Sequence, residues 1–198
     1  MNPKQYVENV LITESRDFSK LSERICQERN IRLLHAGLGL CTEATELFEM
    51  LEKPELDLVN LKEEISDQTW YIGIIIDELK FNVEILVQPS MLDSASQKTK
   101  RELIEIFLGR NVKHVGLLQD LLKKSIFYGK PLSAEKIEEQ VIEICKQIAT
   151  LCEIGGVTIE SCFQSNIDKL RARYGDKFSE AAAVNRNLAK EREILEKK

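Results

Sequence analysis

Two pairs of carboxylates, placed symmetrically about a turn, constrain the fold of this chain more than any other feature of its sequence. Pro and Glu at positions 54–55 mark the turn, and the four acids are Glu43, Glu46, Glu64 and Asp67. Counted from position 55, the inner acids lie nine positions away on each side and the outer acids lie twelve away. Residues three apart share one face of an α-helix. The spacing therefore predicts an antiparallel helical hairpin that gathers all four acids in one place.

The helix phase of these acids matters, because the chain has 33 acidic residues among 198 and other acid pairs with the same spacing. At about 100° per residue, each of the two pairs lies in the same position beside the apolar stripe of its helix. The first stripe is Leu40, Ala44, Leu47 and Leu51, and the second is Leu61, Ile65, Ile72 and Ile76. Past Asp67 the acid-bearing face continues as Trp70, Tyr71 and Ile74, so we expect this face to be buried from solvent.

Acids on a buried face need a cation, or strongly shifted pKa values, in order to coexist. Magnesium prefers oxygen ligands and is commonly held by carboxylates. The pattern therefore predicts a Mg²⁺ site in the hairpin. A charged surface hairpin that holds no metal is the alternative.

The composition is that of one soluble globular unit, with 43% hydrophobic and 31% charged residues in a chain of 198. Glycine and proline are scarce, at 9 and 4 residues, which favours long helices over a sheet with many tight turns. We therefore predict an all-α fold, a helical bundle built around the acid-bearing hairpin, in a single domain over residues 1–198.

Charge and cysteine content limit the partners and the compartment. The formal net charge of -5 and the pI near 5.3 argue against broad non-specific nucleic-acid binding, so we expect no nucleic-acid partner, although a local basic pocket is compatible with this charge. The N-terminal residues lack the apolar run of a secretory signal, and the longest apolar stretch, residues 70–76, is too short to span a membrane. The five cysteines contain no Cys-x-x-Cys pair, so we expect neither a disulfide framework nor a zinc site. A cytoplasmic protein fits these features.

Apolar residues recur at helical period along the chain. We expect helices over residues 4–14, about 31–51 and about 58–85, and an apolar face over 103–122 that is interrupted near 109–111. Ser133 and Thr158 are predicted N-caps of two further helices, which end at Gly155-Gly156 and at Gly175. The tail from Phe178 onward is rich in Ala, Glu, Lys and Arg, and we expect a helical segment that packs across the bundle or a partner.

A second group of residues, near the end of the last predicted long helix, is rich in cations. Asn166, Lys169 and Arg173 are three and four positions apart and share one helix face, and Tyr174 follows them. Lys and Arg can neutralise a triphosphate through charge-assisted hydrogen bonds. The alternative is that these cations stabilise a helix C-terminus through its dipole, with Gly175 just past the end.

With both groups in view, the sequence resembles the all-α nucleoside triphosphate pyrophosphohydrolases of the MazG-like group. The resemblance rests on Glu43-x-x-Glu46, on Glu64-x-x-Asp67 in the setting Leu61-Lys62-Glu63-Glu64-Ile65-Ser66-Asp67-Gln68-Thr69-Trp70-Tyr71, and on Asn166-x-x-Lys169-Leu170-x-x-Arg173-Tyr174-Gly175-x-x-Phe178. These motifs bracket most of residues 31–180, which would form the core of the domain, with an N-terminal helix and a C-terminal helical tail.

The resemblance implies a helical bundle that oligomerises and hydrolyses nucleoside triphosphates to the monophosphate and pyrophosphate with Mg²⁺, for which Mn²⁺ could substitute. The four acids would be metal ligands and catalytic residues, and one of them or Glu63 would orient the attacking water. Lys169 and Arg173 would hold phosphate oxygens, and Asn166 and Tyr174 would support the substrate pocket.

The expected role is housekeeping of the nucleotide pool. One alternative is a pyrophosphohydrolase for another nucleotide, such as phosphoribosyl-ATP, and another is a non-catalytic helical interaction protein. Trp70 and Tyr71 could stack on a base or could be core residues. Residues 70–79 are apolar on nearly all sides of their helix, which leads us to expect a homo-oligomer that covers them.

Overall fold

The computed structural model describes residues 1–14, 16–175 and 177–196. Within these ranges the chain forms α-helices, one short 3-10 helix and no β-strand, so the predicted all-α fold is confirmed. The α-helices are α1 (Pro3–Thr13), α2 (Phe18–Ile25), α3 (Glu28–Glu52), α4 (Leu58–Leu79), α5 (Lys100–Tyr128), α6 (Ala134–Gly155), α7 (Ile159–Tyr174), α8 (Glu180–Val184) and α9 (Leu188–Glu196). Positions 15, 176 and 197–198, which the predicted domain includes, lie outside the described residues.

At the start of most of these helices, the side chain of the N-cap residue accepts a hydrogen bond from a backbone N–H of the first turn. The two predicted N-caps are confirmed: Ser133 accepts from the N–H of Lys136, and Thr158 accepts from the N–H of Ser161. At the other end of α6, Gly156 adopts a left-handed backbone (φ 74°), which glycine reaches without steric cost. α6 and α7 are therefore separated by a short and sharply defined turn.

Helices α3 and α4 form the predicted antiparallel hairpin. Arg32, near the start of α3, donates hydrogen bonds to Asp77 (2.7 Å) and Glu78 (2.5 Å) near the end of α4. At the closed end, Arg101 of α5 donates to the backbone carbonyl of Leu51 in the last turn of α3 and to those of Lys53 and Pro54 in the turn that follows. These contacts fix the register that brings the acids of α3 opposite those of α4.

The core lies between α3, α4, α5 and α6, with α7 packed on α4. Seven of the eight predicted stripe residues on α3 and α4 are buried, and Leu51 is partly exposed. From α5 and α6 the core receives Ile104, Leu108, Val115, Leu118, Leu122, Ile137, Val141, Ile144, Ile148 and Leu151. None of the described helices has the length and apolarity that crossing a bilayer requires.

One predicted helix boundary and one predicted interruption were wrong. α4 ends at Leu79 rather than at position 85, because Lys80 turns left-handed (φ 57°) and a 3-10 helix, Val83–Leu86, follows. α5 runs without a break through residues 109–111, where Asn111 is fully buried and donates a hydrogen bond to Gln68 Oε1 (3.0 Å). Packing along a helix of 29 residues outweighs the roughly 1 kcal/mol by which an internal glycine disfavours helix.

The C-terminal tail is helical, as predicted, and folds back over the hairpin. Arg192 of α9 donates to both carboxylate oxygens of Asp57, the N-cap of α4, at 3.0 and 3.1 Å. Glu191 and Leu195 of α9 are buried. The tail therefore reaches the side of α4 and α7 on which the acids lie.

Candidate metal centre

Three of the four predicted acids meet in the structure. Glu43 of α3 and Glu64 and Asp67 of α4 each place one carboxylate oxygen within 4.8 Å of the other two. Glu64 is buried, at 5% exposure, and the other two acids are partly exposed. A set of carboxylate oxygens from facing helices suits a hard divalent cation such as Mg²⁺. The residues present therefore fit the predicted metal.

Glu46 lies outside this three-acid group. It is exposed, one turn further along α3, and lines the same cleft as the other acids. Partial burial raises the pKa of Glu46, and the negative charges of Glu49 and Asp67 raise it further. Its role as a metal ligand stays a prediction. Its position also suits a carboxylate that lies beside the metal without binding it.

The close approach of Glu43 and Glu64 shifts their protonation. Burial, together with the hydrogen bond to Glu43, raises the pKa of Glu64 to about 9. Burial and the charge of Asp67 raise the pKa of Glu43 to about 7. Without a cation, Glu64 therefore retains its proton at neutral pH and donates it in a hydrogen bond to Glu43. A bound cation would take the place of that proton.

Two residues of α7, which the sequence assigned to substrate binding, contact Asp67. Asn166 Nδ2 donates to one of its carboxylate oxygens and Lys169 Nζ to the other, each at 2.5 Å. Each oxygen has two lone pairs, so both retain capacity for a cation. The contacts of Asn166 and Lys169 orient Asp67, whereas their predicted contact with phosphate stays a prediction.

The Lys169 ammonium is a buried counter-charge to the acids. Its side chain is 1% exposed and also bonds Glu63 at 3.1 Å. Burial acts to lower the pKa of Lys169, but Asp67 and Glu63 outweigh that effect and raise it above its ordinary value. The lysine therefore stays charged inside the protein, where it balances part of the negative charge.

Arg173 and Tyr174, the other predicted substrate residues, lie at the wall of the same cleft. Arg173 holds Glu191 with two hydrogen bonds, at 2.9 and 2.5 Å, and its guanidinium lies 5.6 Å from the centre of the Tyr174 ring. Arg186, in the tail, also bonds Glu191 at 2.8 Å. Glu191 thus fixes two arginines beside the acids.

Sequence reasoning missed Arg186 and Glu191. Arg186 is separated from the motif that ends at Phe178 and has no characteristic spacing to it. Glu191 is one of many acids in a charged tail, yet it is only 4% exposed. The only sequence signal was the expectation that the tail packs across the bundle, and the return of the tail onto α7 brings both residues to the site.

The acids and arginines share a cleft of about 390 Å³, a size that accommodates a small molecule. Its remaining wall is largely aromatic and includes His35, Trp70, Tyr71, Tyr174 and Phe178. The His35 ring lies edge-on to Trp70 and Tyr71, with ring centres 6.0 and 5.5 Å apart.

We expected the face that carries Trp70, Tyr71 and Ile74 to be buried from solvent, and this expectation was wrong for Trp70. Trp70 is 39% exposed, and Tyr71 and Ile74 are partly exposed. The reason is that α3, α6 and α7 pack against other parts of α4, and this face opens onto the cleft. The two aromatics are therefore available to a ligand.

Comparison of the chain with protein-family models, with curated proteins and with solved structures finds no match.

Proposed function

We propose that this protein is a magnesium-dependent nucleoside triphosphate pyrophosphohydrolase, which releases a nucleoside monophosphate and pyrophosphate. The observation that supports this most is the content of one cleft: three clustered carboxylates, two arginines and an aromatic wall. These parts match the three chemical parts of the substrate complex, which are metal, phosphates and base. The MazG-like motifs of the sequence favour the same activity.

In this proposal Glu43, Glu64 and Asp67 bind the cation. Asn166 and Lys169 hold the Asp67 carboxylate in a fixed orientation, so little rearrangement accompanies binding. When bound, Mg²⁺ would supply positive charge that screens the triphosphate and polarises its phosphoryl oxygens.

Arg173 and Arg186 bind the phosphate oxygens. A guanidinium presents paired donors in a plane, which suits phosphate, and Glu191 keeps both groups at the cleft. Trp70 and Tyr71 provide faces for a base to stack on. Together these contacts would align the α-phosphorus with an attacking water, and positioning of this kind supplies much of the rate in phosphoryl transfer.

We assign Glu46 as the general base, which accepts the proton of the attacking water. It lines the cleft outside the three-acid group, and its raised pKa makes it a better base than an ordinary surface carboxylate. Attack at the α-phosphorus then releases pyrophosphate. The proposed setting is the cytoplasmic nucleotide pool, in a homo-oligomer.

A turnover assay tests the proposed function. The protein is incubated with Mg²⁺ and a panel of canonical and modified nucleoside triphosphates and phosphoribosyl-ATP, and chromatography separates monophosphate, diphosphate and pyrophosphate. We expect monophosphate and pyrophosphate, abolished by EDTA and restored by Mg²⁺ or Mn²⁺. Asp67→Asn should lower turnover on the order of 100-fold, by analogy with losses at metal sites.

The matched control is Glu105→Gln, which neutralises an exposed acid on α5 and should leave turnover unchanged. Absence of turnover across the whole panel, or equal turnover in Asp67→Asn and the wild type, would contradict the proposal. Release of inorganic phosphate with a diphosphate would reassign the bond that is cleaved.

A further inference from the structure

Two buried thiols face each other where α6 meets α7. Cys152 lies in the last turn of α6 and Cys162 in the first turn of α7, and their sulfur atoms are 3.9 Å apart. Cys152 is 3% exposed and Cys162 is fully buried. A disulfide requires a sulfur separation of about 2.0 Å, so only a small approach of the two helix ends separates this contact from a covalent bond.

The pair is close to the residues that hold Asp67. Asn166 follows Cys162 by one turn on α7, and Lys169 follows Asn166 on the same helix. On α4, Ser66 lies beside the Cys162 sulfur and is the neighbour of Asp67 in the chain. A shift of the first turn of α7 therefore acts on Asp67 from two directions.

We propose that Cys152 and Cys162 form a reversible disulfide when the protein meets hydrogen peroxide, and that this bond changes the orientation in which α7 holds Asp67. The formation of the bond and its effect on Asp67 do not depend on the identity of the substrate. Its effect on turnover rests on the proposed function.

The chemistry requires one named oxidant. The sulfur of Cys162, as thiolate, attacks one oxygen of hydrogen peroxide, the O–O bond breaks, and the leaving hydroxide takes a proton to become water. The sulfur of Cys152 then attacks the sulfenic sulfur of Cys162, loses its own proton and displaces a second water. Two thiols and one peroxide give one disulfide and two waters, and the two electrons pass from sulfur to oxygen.

The surroundings favour Cys162 as the first sulfur to react. The hydrogen bond to Cys152 lowers the pKa of the Cys162 thiol and Ser66 lowers it further, against the opposing effect of burial. Cys145, which is equally buried on α6, shows the contrast, because burial raises its pKa to about 12. A thiolate reacts with peroxide, and a thiol does so poorly. Peroxide is also small enough to reach a site that excludes larger disulfide reagents.

The turn between the helices can accommodate the new bond. Gly156 supplies a left-handed residue within the loop that the disulfide would close. Closing the sulfur contact would draw the start of α7 toward the end of α6. Because Asn166 and Lys169 share the rigid helix with Cys162, their contacts with Asp67 would move with it.

The first test is chemical and uses a variant in which the two exposed cysteines are replaced, Cys26→Ser with Cys41→Ser. After peroxide, alkylation and digestion, we expect a cross-linked peptide that contains Cys152 and Cys162, lighter by two hydrogen atoms and removed by dithiothreitol. Adding Cys145→Ala should preserve the cross-link, and adding Cys152→Ala should abolish it. Persistence of free thiols at both positions would overturn the proposal.

The second test is the effect on the site. Trp70 is the only tryptophan in the chain and follows Asp67 by one turn, so its fluorescence reports on the cleft. We expect oxidation to change its emission and to weaken Mg²⁺ binding, titrated by that emission, on the order of 10-fold. Dithiothreitol should reverse both changes, and Cys152→Ala should show neither. A disulfide that forms without altering emission or Mg²⁺ affinity would overturn the link to Asp67.

Turnover gives a separate readout. If the panel of triphosphates identifies a substrate, the oxidised protein should turn it over more slowly and recover with dithiothreitol. If no substrate is found, the proposed function fails, while the cross-link and the Mg²⁺ titration still decide the inference.

Discussion

At the scale of single residues, the cleft concentrates negative charge that one buried lysine only partly balances. Glu43, Glu64 and Asp67 lie together, and Lys169 contacts Asp67 and Glu63. A proton between Glu43 and Glu64 offsets a further unit of negative charge in the absence of metal. Protonation, stability and cation binding are therefore linked at this site.

In EDTA, the free energy of unfolding should fall as the pH rises from 4.5 through 7 toward 9. The pKa of Glu43 rises from 4.5 to about 7 and that of Glu64 to about 9, so the folded protein binds more protons than the unfolded chain in this window, and its stability falls with pH. A unit of pKa corresponds to about 1.4 kcal/mol, which sets an upper limit of roughly 3 kcal/mol for Glu43, and solvent screening at this partly exposed side chain lowers the contribution below that limit. Acids with lowered pKa values, such as Asp57, titrate below this window.

Urea denaturation at several pH values measures this slope. Glu64→Gln keeps a hydrogen-bond donor beside Glu43 and removes the charge, so the variant should be less sensitive to pH and more stable than the wild type at pH 9. Glu105→Gln should follow the wild type. A wild-type stability that stays level from pH 5 to 9 would argue against the shared proton.

Replacing the buried lysine should be costly. Lys169→Met retains much of the side-chain volume but leaves Asp67 and Glu63 without their cation, and loss of one partner from a buried ion pair costs about 3 kcal/mol or more. Lys146→Met is the matched control, since the Lys146–Glu143 pair is partly exposed and lies within α6. The Lys146→Met variant should lose less than about 1 kcal/mol of unfolding free energy. Urea midpoints at neutral pH that shift equally in both variants would contradict the assignment.

The sequence could predict that the acids and Lys169 meet, but not what Lys169 contacts. Spacing places Asn166, Lys169 and Arg173 on one helix face, and it does not say whether that face points into the open cleft or into the protein. In the structure, Asn166 and Lys169 are buried against Asp67, and Arg173 reaches the wall of the cleft. That distinction depends on the angle at which α7 packs on α4.

At the scale of helices, the hairpin was predictable because a turn signal and two apolar stripes agree. The end of α4 was not, because the apolar pattern continues through Phe81, Val83 and Ile85 while the break at Lys80 is a left-handed residue without a glycine to signal it. The continuity of α5 could not be predicted either, since Gly109 and Asn111 are typical of a helix interruption. Burial of Asn111 against Gln68 is a tertiary contact that local sequence does not encode.

The approach of α3 to α4 requires glycine at one position. A β-carbon on Gly39 would overlap the ring of Tyr71, whereas one on Gly116 of α5 would meet no atom within 4 Å. We expect Gly39→Ala to destabilise the protein by about 1 to 3 kcal/mol and to displace Tyr71 toward the cleft. Gly116→Ala should stabilise it by roughly 0.5 to 1 kcal/mol, as alanine favours helix. Thermal unfolding distinguishes the two variants by the direction of their change in melting temperature. A stabilised Gly39→Ala variant would contradict the close packing of Tyr71 on Gly39.

At the scale of the whole molecule, the cleft is shared among α3, α4, α7 and the tail. The sequence predicted a tail across the bundle, and it could not predict that Arg186 and Glu191 complete the site, because nothing local marks them. The reason for expecting a homo-oligomer is weaker than the sequence indicated. Ile72, Ile75 and Ile76 of α4 are buried by the chain itself.

The homo-oligomer stays a prediction, and exposed apolar residues on α3 suggest where to test it. Ile31 and Leu38 lie seven positions apart on one helix face and are 51% and 62% exposed. Light scattering should give at least twice the mass of one chain, 22.7 kDa. Leu38→Lys should lower that mass, and Val112→Lys on α5 should not. A monomer at high protein concentration would exclude the homo-oligomer.

Lys169, the cationic partner of Asp67, follows it by 102 residues in the chain, which has a consequence for synthesis. During translation the hairpin of α3 and α4 leaves the ribosome well before Lys169 has been added to the chain. Domains generally fold as units, N-terminal first, so the nascent hairpin presents its acids without the cation that later contacts them. The centre of the cleft is therefore among the last features to be completed, and a polypeptide released before α7 retains the acids but not their counter-charge.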